Sequence, residues 1–145
     1  MWKFRTAARR STRSLATVLL LLAFPALGSE VFPFDRQLML DVAPMGKVRR
    51  TPSITIDSDG SARLELWCRT ARAQVTTSGD QIRILPAPLP EGLPQYMSDG
   101  QCAPERMDAD LTLLNTLAQV TTWRKAGGAV TLEGPVALHF LPDDH

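Results

Sequence analysis

Two cysteines, one internal histidine and a few carboxylate clusters are the groups in this 145-residue chain whose chemistry could exceed simple solvation. A cysteine nucleophile needs a base close enough to hold it as thiolate. The internal histidine is His139, and no spacing in the chain brings it to Cys68 or Cys102. In an oxidising compartment an even cysteine count points instead to a disulfide. Joining Cys68 to Cys102 closes a loop long enough to contribute about 4 kcal/mol in the chain-entropy account. The expected role of the pair is structural. A thiol-dependent hydrolase using either sulfur with His139 is the alternative.

The carboxylates divide in the same way. Glu105, Asp108 and Asp110 follow Pro104 closely enough to suggest acid–base or metal chemistry. They also sit where a helix begins, and the positive end of the helix dipole attracts negative charge there. Asp57-Ser58-Asp59-Gly60 resembles part of a calcium loop. With Gly60 as that loop's glycine, however, the first ligand would be Thr55 and the closing glutamate would be Leu66. Asp59-Gly60 is better suited to a tight hairpin turn. Lys47, Arg49 and Arg50 form a basic loop cluster of the kind water usually solvates. No catalytic residue, metal site or cofactor site is expected, and the chain is not expected to be an enzyme.

The N-terminus sets the compartment. Lys3, Arg5, Arg9, Arg10 and Arg13 precede an apolar run from Leu15 to Phe24, then Pro25 and the small-residue stretch Ala26-Leu27-Gly28. This is the layout of a secretory signal peptide over residues 1–28, with cleavage near Gly28 and an apolar run too short to span a bilayer comfortably. The expected location is periplasmic or secreted. Removing those five of the 16 basic residues leaves 11 against 15 acidic ones, a net charge of −4. An acidic chain without a basic stripe lacks the electrostatic footprint of a nucleic-acid binder. Residues 29–145 form one domain with no further membrane span, expected to be a monomer.

Hydrophobic periodicity then places the elements. Leu38, Leu40 and Val42 alternate in a strand over 37–42. Ser53–Asp57 and Ala62–Cys68 make a hairpin with Leu64, Leu66 and Cys68 on its core face and Arg63, Glu65, Trp67 and Arg69 opposite. Ala73–Thr77 and Gln81–Leu85 make a second hairpin, with Ile82 and Ile84 inward. A loop with Pro86, Pro88, Pro90 and Pro94 leads to Cys102, and a connection that long is usually functional or tied down. One amphipathic helix follows, with Met107, Leu111, Leu114, Leu117 and Ala118 along one stripe. The chain ends in a meander over Gln119–Lys125, Ala129–Glu133 and Val136–Leu141, with His139 turned away from the Phe140 side.

This order resembles the META domain family, the HslJ-like proteins of bacterial envelopes. The resemblance rests on the Ser53–Cys68 hairpin, on Cys102-Ala-Pro-Glu-Arg-Met before the helix, and on the closing Val130-Thr-Leu-Glu-Gly-Pro-Val-Ala-Leu-His-Phe. Trp67-Cys68-Arg69 stands where family members commonly have Gly-Cys-Asn. The resemblance implies an α+β fold, a curved and mainly antiparallel, half-barrel-like sheet wrapped around a single α-helix. It also implies a link to heat or envelope stress and antibiotic tolerance, without catalysis. The functional expectation is a non-catalytic exported protein binding an apolar ligand or a protein partner. The expected surface is Tyr96, Met97, Leu111 and Leu114, with a cavity between helix and sheet bordered by the two leucines and the inward strand residues. An inhibitor presenting the proline-rich loop Leu89–Met97 is a further alternative.

Overall fold

The computed structural model describes residues 30–46, 50–89 and 102–144. The signal peptide expected at 1–28, the basic residues Lys47 and Arg49, and Pro90 to Met97 of the proline-rich loop lie outside the described residues. Eight antiparallel strands run in chain order: β1 (Gln37–Leu40), β2 (Ser53–Ile56), β3 (Ser61–Glu65), β4 (Thr70–Ser78), β5 (Gln81–Pro86), β6 (Thr122–Ala126), β7 (Ala129–Glu133) and β8 (Leu138–Pro142). Among the described residues one helix, α1 (Pro104–Leu117), stands between β5 and β6.

Each strand pairs with its neighbours in sequence, and β1 returns to β8 with Leu38 opposite Pro142 and Leu40 opposite Phe140. The sheet is therefore a closed barrel and not the half-barrel expected from sequence. The expected period-2 faces explain why it closes. Leu38, Leu40, Ile54, Ile56, Leu64, Ile82, Ile84, Val130, Leu132 and Phe140 all turn inward and are buried in one contiguous core. Eight strands enclose about the volume that such side chains fill by themselves. Ala62, Ala71 and Ala73 supply small inward residues on β3 and β4. Strand side chains thus occupy the interior, and the helix packs at one end of the barrel.

The barrel is weakest between β5 and β6, where Gln81 opposite Thr122 is the one paired position. Two backbone bonds extend it: the Ile82 amide donates to the Thr121 carbonyl at 3.0 Å and the Trp123 amide to the Asp80 carbonyl at 2.8 Å. The chain leaves the sheet at this seam, and α1 packs beside β5 where β6 is offset. At the end opposite the helix, Phe32 meets the edge of Trp123 with ring centroids 5.1 Å apart. The Trp123 indole N–H donates to the Gly79 carbonyl at 2.9 Å.

Asp57 to Gly60 form the β2–β3 turn. The Gly60 amide donates to the Asp57 carbonyl at 2.9 Å, and the Ser61 hydroxyl donates to the Asp59 carboxylate at 2.7 Å. These bonds from the Ser61 side chain and amide hold the Asp59 carboxyl below its ordinary pKa. Gly60 has φ +88°, and a Cβ there would lie 2.6 Å from the Val75 carbonyl oxygen. Gly79 also has positive φ, at +58°, but faces open space. We expect Gly60→Ala to destabilise the fold by about 2–4 kcal/mol and Gly79→Ala by only about 1 kcal/mol. Urea unfolding of the two variants measures the difference.

Candidate functional site

The helix is anchored to the short connection Leu66–Arg69 between β3 and β4. Cys68 and Cys102 are joined by a disulfide with Cα atoms 5.8 Å apart, fixing the approach to the helix to the rim of the barrel. Nearly two turns into the helix, Asp110 is fully buried at 0% exposure. Its carboxylate accepts the Cys68 amide at 3.2 Å, the Arg69 amide at 3.1 Å and the Arg69 Nε at 3.2 Å. Arg69 also donates through Nη2 to the Met107 carbonyl at 3.1 Å, and Arg106 donates through Nη2 to the Trp67 carbonyl at 3.2 Å. The pairing satisfies groups that would otherwise be costly to bury.

This anchor revises the helix faces expected from sequence. The buried stripe is Arg106, Asp110, Leu113, Leu114 and Leu117; of the expected residues Leu114 and Leu117 are in it, Met107 packs half-buried beside it, and Leu111 and Ala118 are exposed. A hydrophobicity pattern counts Arg106 and Asp110 as solvent-facing, so it rotates the stripe. Leu111 is 48% exposed. Trp67 and Arg69, expected on the outer face of the second hairpin arm, are also buried, because the helix covers the rim there.

Between the helix and the rim lies an apolar groove of about 530 Å³. Leu40, Val42, Leu138 and Val136 form its barrel wall, and Ala109 and Leu113 form its helix wall. Trp67 also lines it. The Trp67 residue is 8% exposed, and its indole N–H is buried with no hydrogen-bond acceptor in the protein. Glu105 and Asp108 border the groove on the helix side. A larger depression, about 710 Å³, follows the β5–β6 seam but is walled mainly by Thr76, Thr77, Ser78, Gln81, Thr121 and Thr122.

Of the expected surface residues, Leu114 is buried in the core, Leu111 lies outside the groove, and Tyr96 and Met97 lie outside the described residues. The expected cavity bordered by Leu111, Leu114 and the inward strand residues is replaced by packed core on the inner side and by the groove on the outer side. Both sulfurs are in the disulfide, and no free cysteine occurs among the described residues. His139 lies exposed on the barrel wall, its Nδ1 3.1 Å from the Thr131 hydroxyl. Arg69, Trp67, Arg106 and Asp110 were missed as a unit. The signal available was the run of offsets 0, 4, 7, 8 and 11 from Arg106 to Leu117, readable only by admitting a charged pair to the core face. No family model, curated protein or solved structure matches the chain.

Asp110→Ala leaves Arg69 buried without its counter-charge, and we expect a loss of about 3–5 kcal/mol in unfolding free energy. Denaturant titration of the oxidised protein measures it, and a loss below about 1 kcal/mol would contradict the structural role assigned to the carboxylate. A thiol reagent added to native protein should find no reactive sulfur until reductant is present. Reduction should then lower the denaturation midpoint strongly.

Proposed function

We propose that this chain is an exported, non-catalytic binding protein of the META type, and that the groove between α1 and the barrel rim is where it binds. The apolar groove floored by Trp67 carries this reading. Its volume of about 530 Å³ falls in the range of small-molecule sites, which are mostly apolar with few polar groups. The disulfide and the absence, among the described residues, of a helix long and apolar enough to cross a membrane support export. A role in envelope stress tolerance follows from the resemblance stated for the sequence and from nothing in the geometry.

The anchor gives the groove its shape in the ligand-free protein. Holding Trp67 and the helix in place beforehand reduces the ordering cost of binding. The thiol-enzyme alternative loses its main support because both sulfurs are consumed in the disulfide and His139 is on the barrel wall.

N-phenyl-1-naphthylamine, a neutral apolar dye, should bind the mature protein with enhanced emission. Val136→Glu places a charge at a groove position that is 58% exposed, so it should weaken dye binding at least about ten-fold with little change in thermal midpoint. Leu85→Glu, on the outer wall away from the groove, should leave dye binding unchanged. Equal affinity in all three proteins would remove the groove as the site.

A further inference from the structure

The groove has apolar walls bordered by two exposed acids, Glu105 and Asp108, and none of its lining residues is cationic. Elsewhere on the barrel the strand pattern assembles a surface of opposite character. Arg83 and Leu85 alternate outward on β5 and so share a face. Leu85 stands opposite Gln74 of β4, which makes Arg72, two residues before Gln74, its diagonal neighbour on that face. Leu85 is 52% exposed, with the exposed Arg72 and Arg83 on either side of it. The other outward residues of this wall, Gln74, Thr76 and Gln81, carry no charge. The ion pairs among the described residues are Arg63–Glu65, Arg69–Asp110 and Arg124–Glu133. Neither these two arginines nor the two groove acids take part in them.

A convex wall that presents an aliphatic side chain between two positive charges complements an apolar groove with two negative charges at its border. Arg72, Arg83 and Leu85 line no part of the groove. Resting on the binding reading above, we propose that the occupant of the groove is a second copy of this chain, docked through its β4–β5 wall. Leu85 enters beside Val42 and Val136, the exposed aliphatic residues of the groove, and Arg72 and Arg83 face the border formed by Glu105 and Asp108. The contact is head-to-tail: each molecule uses a different surface from its partner, so a wall and a groove stay open at the two ends of a dimer. Complementary charges at such a border fix the orientation of docking and speed encounter, and salt weakens them.

Sedimentation equilibrium of the mature protein tests this. The mean mass should rise with concentration at low ionic strength and rise less with added salt. Leu85→Glu spoils the wall and Val136→Glu spoils the groove, both at exposed positions, so each variant should fold and remain a monomer over the same range. Mixed in equal amounts they should form a one-to-one complex and nothing larger, because the intact wall of one meets the intact groove of the other and both free ends are blocked. Glu105→Gln/Asp108→Asn should weaken wild-type association about five- to ten-fold, although removing acids from a net-negative chain would by itself reduce repulsion. Asp80→Asn/Asp144→Asn, matched in charge and outside both surfaces, should not weaken it.

A wild-type protein that stays monomeric at every concentration overturns the proposal, as does a mixture of the two variants that fails to associate. Association retained by either variant alone overturns it too. Dye binding by Leu85→Glu, whose groove is intact, separates the two readings. If the dye binds and no self-association occurs, the second copy is excluded and the binding reading stands. If neither occurs, both readings fall.

Discussion

A carboxylate with no access to water holds the two parts of this molecule together. Asp110 has no exposed surface, and its three hydrogen-bond donors come from Cys68 and Arg69 on the barrel rim. A charge so placed is tolerable only where its partners are fixed, so the helix can dock in one orientation. The disulfide acts on the same connection from the other side, limiting how far the two parts separate when unfolded. One constraint is electrostatic and directional and the other covalent; together they define a short rim segment, Leu66–Arg69, from which the positions of Trp67 and α1 follow.

The barrel and the anchor are different kinds of structure. The barrel interior is held by non-directional burial of alternating aliphatic side chains, which tolerates similar shapes and volumes. The rim depends on hydrogen-bond geometry and on the Arg69–Asp110 ion pair. Its neighbour, the groove, inherits this rigidity: its floor is a residue of the anchored connection and one wall is the anchored helix. Binding chemistry is thereby set on the least deformable junction of the molecule, while the β5–β6 seam, with one paired position, is the natural place for the sheet to loosen.

All eight strands and the one helix were legible in the sequence, because a period of two and a period of about 3.6 are local properties of a chain. Ile54 and Ile56, Ile82 and Ile84, and the turn at Asp59-Gly60 are examples where local pattern and structure agree. Strand ends were less legible. Val42 and Val136 continue the alternation on paper but lie beyond β1 and β8 and are exposed at the groove. Closure was not legible either, since β1 meets β8 through residues about a hundred positions apart, and no local pattern encodes a pairing at that separation.

The sequence by itself determined which residues alternate into a core, where the helix falls, and that two cysteines could be joined. It could not decide which side of the helix is buried, because Arg106 and Asp110 are hydrophilic in isolation and become core residues only when Arg69 and the Trp67 carbonyl meet them. Tertiary structure alone decided the closed barrel, the buried ion pair and the groove between α1 and the rim. Burial and partnership are properties of the assembled molecule: the cost of a charge or an N–H depends on what surrounds it, and the surroundings come from distant parts of the chain.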